Sequence, residues 1–310
     1  MASGLREIRR KMKAIKATRQ VTKAMELVAA SKMRKAVQSA QQLRLYAQRA
    51  WSILERVAAL NPDIHPTLHE RPVKKVLAIL FSSDRGLAGS LNAQLFRAVT
   101  QYVKTAQKAP TFQSLEFIAV GRKGQQYLAR TNQTVIAAFP AFSNTPSFRD
   151  IAPAIRLAEQ GFLRGEYDHV SLIFMDFISA LIQEPAVKVL LPFSRSELKE
   201  MVAGLVLHKH GHPGEQEIPP AVQSGGEYLL EPSPQEVIDA IIPQLTQVQV
   251  YQGLLEAVAS EHSARMVAMR SATDNATDII DDLTLTYNQT RQANITAELA
   301  ELSASKAALD

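Results

Sequence analysis

Residues Ile241 to Leu309 read IIPQLTQVQVYQGLLEAVASEHSARMVAMRSATDNATDIIDDLTLTYNQTRQANITAELAELSASKAAL. After Pro243 this stretch has no proline, and its only glycine is Gly253. Alternate steps of four and three from Ile241 land on Leu245, Val248, Gln252, Leu255, Ala259, His262, Met266, Met269, Thr273, Ala276, Ile280, Leu283, Tyr287, Thr290, Asn294 and Ala297. That spacing predicts a coiled-coil seam rather than the broader stripe of a globular helix. At 1.5 Å per residue the helix would run roughly 90–100 Å, too long to fold around its own core. It needs a partner along most of its length.

The other end of the chain supplies one. From Leu5 the same steps give Ile8, Met12, Ile15, Arg19, Thr22, Glu26, Ala29, Met33, Ala36, Ala40, Leu43, Ala47, Ala50, Leu54 and Val57, and the first proline is Pro62. Both seams are rich in Ala and Thr, so two backbones would approach closely. A domain between them returns the chain and favours an antiparallel pair within one molecule. Two independent helices or a coiled-coil homodimer are the alternatives.

Between the helices, NPDIHPTLHERP (Asn61 to Pro72) reads as a linker. VKKVLAILF (Val73 to Phe81), LEFIAV (Leu115 to Val120), TVIAAF (Thr134 to Phe139), HVSLIFMDF (His169 to Phe177) and PAVKVLLPF (Pro185 to Phe193) read as strands. Helices are predicted over Leu91 to Gln107, over the GRKGQQYLAR segment and over Ser147 to Arg164, with Ser90 as an N-cap. Strands alternating with helices indicate a mostly parallel, Rossmann-like doubly wound sheet. Further on, Ser196 to Leu207 reads as a short helix, His208 to Gln223 as an exposed loop and Glu227 to Leu230 as a strand. Ser233 caps a helix from Pro234 that should stop or kink at Pro243. The fold class is thus α/β plus a long antiparallel coiled coil, in segments 1–61, 73–232 and 233–310.

The formal charge of +5 is unevenly placed. Met1 to Lys35 holds eleven Lys or Arg and two Glu, whereas beyond Ser271 seven Asp or Glu face Arg291 and Lys306. A basic N-terminus suggests a transit peptide or a nucleic-acid arm. Heptads that begin at Leu5 argue against the first, and the lack of interleaved aromatics argues against the second, which leaves a solvated face or an acidic protein partner. No run is apolar enough to span a bilayer. The absence of cysteine fits a reducing compartment.

Sites for chemistry are few. SSDRGLAGSLN (Ser82 to Asn92) has the shape of a phosphate-binding turn but lacks a Gly-Lys-Ser/Thr ending, and GRKG at Gly121 is no dinucleotide fingerprint. Both read better as tight turns or protein contacts. The triplet His208, His210 and His212 lies in a loop without rigid ligand geometry. Pro66 separates His65 from His69. Asp278, Asp281 and Asp282 read as solvated charge on a helix. No catalytic residue, cofactor or metal is expected.

The segments LREIRRKMKAIKATRQVTKAMELVAASKMRKA, SSDRGLAGSLN and ASEHSARMVAMRSATDNATDIIDDLTLTYNQTRQANITAEL together resemble the gamma subunit of F-type ATP synthases, in order and over the full length. Ser305 and Lys306 depart from that family's usual Gly-Ala, Ala88 stands where a cysteine or similar small residue is common, and the loop from His208 to Ser224 looks long. Plant-type regulatory cysteines are missing, so no such redox control is implied. The resemblance implies a non-catalytic rotor shaft whose coiled coil enters a ring of alpha and beta subunits. Its α/β domain would meet the epsilon subunit and the c-ring, with a delta subunit elsewhere in the complex. It implies a peripheral membrane protein on the cytoplasmic face of a bacterial plasma membrane. The basic helix carrying Arg9 and Lys23 would face acidic levers of the beta subunits, with Met25 near them. Arg291 and Gln292 match a pair that binds a beta-subunit loop, and Ile295, Thr296 and Glu298 match the C-terminal signature. A coiled-coil scaffold or nucleic-acid-binding protein is the rival, and a nucleotide-binding α/β enzyme a third reading.

Overall fold

A computed structural model describes residues 2–60, 67, 71–140, 146–192 and 233–307 of the chain. Its elements are α1 (Ala2–Leu60), β1 (Lys75–Phe81), α2 (Leu91–Gln107), β2 (Ser114–Val120), α3 (Arg122–Arg130), β3 (Thr134–Phe139), α4 (Phe148–Leu163), β4 (His169–Phe177), β5 (Gln183–Leu191) and α5 (Pro234–Ala307). Packing divides the chain into two units. One joins Met1–Ala30 with Arg265–Asp310, and the other is Ser31–Ala264.

The larger unit is built on a five-stranded sheet ordered β3-β2-β1-β4-β5. The pairs β1–β2, β1–β4 and β2–β3 are parallel, and β4–β5 is an antiparallel hairpin. Val76 pairs with Leu115 on one side and His169 on the other, which puts β1 at the centre. After the exposed Lys75, strand β1 is apolar to its end because both its faces are covered. Leu77, Ile79 and Phe81 point to a layer made by α4 and by parts of α1 and α5, through Ile155, Phe162, Ala36, Leu254 and Val258. Val76, Ala78 and Leu80 point to α2 and α3, through Leu91, Leu95, Val99 and Leu128. The doubly wound sheet is therefore present, with β5 as its antiparallel edge. The sequence also placed β5 about two residues late, because Gln183 and Glu184 carry no strand signal and are held by pairing with Phe177 and Asp176.

Three local expectations need correction. Ser90 stands at the N-cap of α2 as expected, but its side chain makes no capping bond. Its hydroxyl instead accepts from Gln94 Nε2 at 3.0 Å. Pro243 does not end α5, which continues as one helix from Pro234 to Ala307. Burial of Ile242, Leu245, Thr246 and Val248 around the proline outweighs the roughly 3 kcal/mol that a helix-interior proline costs. Between Ile242 and Ser263, α5 also buries far more than a two-residue seam, because sheet and helices surround it. Ser233 does cap α5 as expected, its Oγ accepting from Glu236 N at 3.3 Å.

Gly253 sits where α5 crosses the sheet. A Cβ there would lie 2.5 Å from Leu172 Cδ2. Ser263 Oγ donates to Ala180 O at 2.6 Å, and Lys188 pairs with Glu256 at 3.4 Å, so α5 is tied to the β4–β5 hairpin by polar contacts as well. Most of the linker from Asn61, the helix and loop predicted over Ser196 to Gln223 with His208, His210 and His212, and the strand at Glu227 to Leu230 lie outside the described residues, as do His65 and His69.

Candidate partner-contact surface

The smaller unit is two antiparallel helices whose contacts follow the seven-residue count. In α1, from Leu5 to Thr22, the residues withdrawn from solvent are Leu5, Ile8, Met12, Ile15, Arg19 and Thr22, while all residues between them are exposed. In α5, beyond Ile280, they are Leu283, Tyr287, Thr290, Asn294 and Ala297. Cross-helix bonds set the register. Thr22 and Thr273 hydroxyls lie 2.8 Å apart, and Arg9 Nη2 donates to Tyr287 Oη at 2.5 Å. In both pairs the residue numbers sum to 295 or 296, as an antiparallel pair requires.

This register sorts the residues singled out in the sequence into two patches. Lys23 and Met25 lie opposite the part of α5 near Met269. Arg291, Gln292, Ile295, Thr296 and Glu298 lie about 30 Å further along α5, counting 1.5 Å per residue. All five are exposed, and Arg291, Ile295 and Glu298 fall on one helix face at spacings of four and three. Thr296 Oγ1 donates back to Gln292 O at 3.0 Å. Met25 is half-buried, and Lys23 is paired with Glu26 at 3.0 Å. Arg9 joins the second patch rather than the first. Its guanidinium also lies over the Tyr287 ring, 5.5 Å from the centroid.

The N-terminal basic face remains open to solvent at Arg6, Arg10, Lys13 and Lys16. Lys11 is paired with Glu7 at 2.9 Å and holds the Glu7 carboxyl below its ordinary range. Asp278, Asp281 and Asp282 are exposed on α5, a solvated acidic face as read from the sequence.

The glycine-rich turn is used inside the protein. Asp84 Oδ1 accepts from Arg122 N at 2.8 Å, Ser82 Oγ from Gly124 N at 2.7 Å and Ser83 O from Lys123 N at 3.0 Å. The first amides of α3, which a phosphate would need, are thus bonded to the turn itself. Gly121 allows this close approach with φ 99°, since a Cβ would fall 2.1 Å from Ser82 O. The crevice nearby, lined by Ser82, Ser83, Asn92, Met175, Leu254 and Glu261, encloses about 20 Å³, space for a water rather than a nucleotide. Among the described residues no group of three His, Cys, Asp or Glu is placed to hold a metal.

Residues 4–309 match the family described as ATP synthase. A protein named ATP synthase gamma chain, from Roseiflexus castenholzii, is 39% identical over 307 residues, covering 98% of this chain and 98% of its own. The chain belongs to the ATP synthase gamma chain family. The gamma chain of Opitutus terrae is 41% identical over 302 residues, covering 97% of both chains. In fold, this gamma chain is similar to a chain of the Euglena gracilis mitochondrial ATP synthase rotor, with TM-score 0.60, 18% identity and coverage of 95% of this chain and 100% of that one. The comparisons lend no support to a scaffold or nucleic-acid-binding protein.

Outside its seam the coil carries exposed apolar side chains. Val21, Leu27, Val28, Leu285 and Leu299 are all more than half exposed, and Ile295 is 49% exposed. An isolated solvated coil would place polar groups there. The heptad count named the seam and passed over these residues, although Val21 and Val28 stand one heptad apart on the outer face.

Proposed function

We propose that this gamma chain is the central stalk of a proton-translocating ATP synthase, turning within a ring of alpha and beta subunits and coupling that rotation to ATP synthesis at the beta-subunit sites. The observation that carries the reading is the match to gamma chains along nearly the whole chain, 39% identical over 98% of its length. In this reading segments 1–61 and 233–310 form the shaft, and 73–232 the part that meets the epsilon subunit and the c-ring. Arg291 and Gln292 hydrogen-bond a beta-subunit loop, Ile295, Thr296 and Glu298 continue that contact, and Met25 with Lys23 meets the acidic lever of a beta subunit. The exposed apolar residues Val21, Leu285 and Leu299 are consistent with a surface covered by partners.

The chain itself does no bond chemistry in this proposal. An asymmetric shaft acts by touching each beta subunit differently, which biases their conformational equilibria and hence their nucleotide affinities. Among the described residues no helix is long and apolar enough to cross a membrane. In this reading the chain is a peripheral protein on the cytoplasmic face of a bacterial membrane, held there through its partners.

Reconstitution tests this directly. Mixed with alpha and beta subunits and passed over a sizing column, the chain should co-elute as a single copy with the ring, and the complex should hydrolyse ATP. A ring that forms without it, and never takes it up, would contradict the proposal.

A further inference from the structure

Arg9 belongs to the basic helix expected to face a partner, yet the structure commits its guanidinium to the other helix of the same coil. Arg9 Nη2 donates to Tyr287 Oη at 2.5 Å, and the guanidinium carbon stands 5.5 Å from the centre of the Tyr287 ring. Tyr287 is a half-buried seam residue. Arg291 follows one turn later, so the two side chains share a stripe of α5 about 6 Å apart along its axis.

The position of this tie along the coil gives it weight. With paired residue numbers summing to 295 or 296, Leu5 faces Thr290, and the first described residue of α1, Ala2, faces residue 293 or 294. Beyond that point α5 runs on to Ala307 with no α1 residue opposite. Arg9–Tyr287 is therefore the final cross-helix hydrogen bond before α5 loses its partner, among the described residues. Below it the seam is apolar, with Ile280 buried and Leu283 half-buried, and such contacts resist separation better than rotation of one helix about its axis.

We propose that Arg9 and Tyr287 form a clamp that fixes the rotational phase of the α5 face carrying Arg291. Arg9 is then a positioning residue acting through Arg291, not a contact residue for the ring. The inference rests on the reading of Arg291 as the side chain that engages a beta-subunit loop. Two bonds of different geometry define the clamp. A hydroxyl accepts from a planar donor, and an aromatic face receives its charge. Tyr287→Phe keeps the second and Tyr287→Leu removes both, while Arg9→Lys keeps charge without the planar fork and Arg9→Gln removes the charge.

The experiment uses the full chain assembled with its alpha and beta subunits. ATP turnover is measured for Tyr287→Leu, Tyr287→Phe, Arg9→Gln and Arg9→Lys, each alone and combined with Arg291→Ala. Tyr287→Leu and Arg9→Gln should each lower turnover about three- to tenfold, with Tyr287→Phe and Arg9→Lys retaining part of the loss, and none should lower it further once Arg291 is alanine. Effects that multiply in the Arg291→Ala background, or single variants with unchanged turnover, would overturn the clamp.

A second measurement separates the clamp from the Arg291 reading. Because the chain has no cysteine, spin labels placed by Lys13→Cys and Gln289→Cys report the distance between the two helices in the assembled complex. The distribution should broaden in Tyr287→Leu and Arg9→Gln, and an unchanged distribution would overturn the clamp whatever the turnover. Broadening together with full activity of the Arg291→Ala single variant would instead reject the role of Arg291, and with it the function assigned to the clamp.

Discussion

At Glu159 burial works against ionisation. The residue sits on α4, and one carboxyl oxygen, Oε1, is enclosed with no hydrogen-bond partner. Burial pushes its pKa from 4.5 up to about 7, with a bond from Thr246 pulling the other way. The folded chain therefore holds a proton that the unfolded chain releases above 4.5. Stability from this group is fully present below that pH and is lost as pH rises through about 7. Glu159→Gln removes the titration, so its melting temperature relative to the unmodified chain should rise by a few degrees between about pH 5 and about pH 8. Thermal melts at the two pH values check this, and a difference that stays constant would show that the carboxyl is solvated. Nothing in the sequence distinguished Glu159 from the other carboxylates, because its state depends on α5 passing over α4.

At the scale of elements, the junction of β2 and α3 shows how a sequence motif can be read in two ways. Glycines beside a helix start fit a phosphate loop, but here Ser82 and Asp84 take the α3 amides and Gly121 admits their backbone. Gly121→Ala must place a Cβ against Ser82 O at a positive φ, and should destabilise the larger unit by about 1–3 kcal/mol. Gly86→Ala is the matched control, since its Cβ would meet nothing within 4 Å. Denaturant titration distinguishes them, and equal effects would reject this account of the junction. The strands were legible because the middles of β1 and β4 are buried on both faces, so Val76 to Phe81 is an unbroken apolar run and β4 is interrupted there only by Ser171. Of the stop or kink expected at Pro243, the stop was misjudged for the opposite reason. Its local chemistry says stop, and only the packing of Ile242 and Leu245 around it says continue.

For the whole molecule, the two terminal helices were legible because a seven-residue seam is a local pattern even when its partner lies more than two hundred residues away. Burial follows that seam residue by residue from Leu5 to Thr22 and from Ile280 to Ala297. The candidate surface was legible only in part. The resemblance named Arg291, Gln292 and the signature after them, and the structure places these together on an exposed face. It could not tell that Arg9 is bound to Tyr287, since side-chain direction in a coil depends on register, which the seam alone leaves open. The central claim is that this gamma chain turns as a stalk, and the absence of cysteine makes it directly testable. A bead attached through Lys108→Cys, on the exposed end of α2, reports rotation while the alpha–beta ring is held to a surface. The account predicts stepwise turning in one direction whenever ATP is hydrolysed. A ring that hydrolyses ATP while the bead only fluctuates would contradict it.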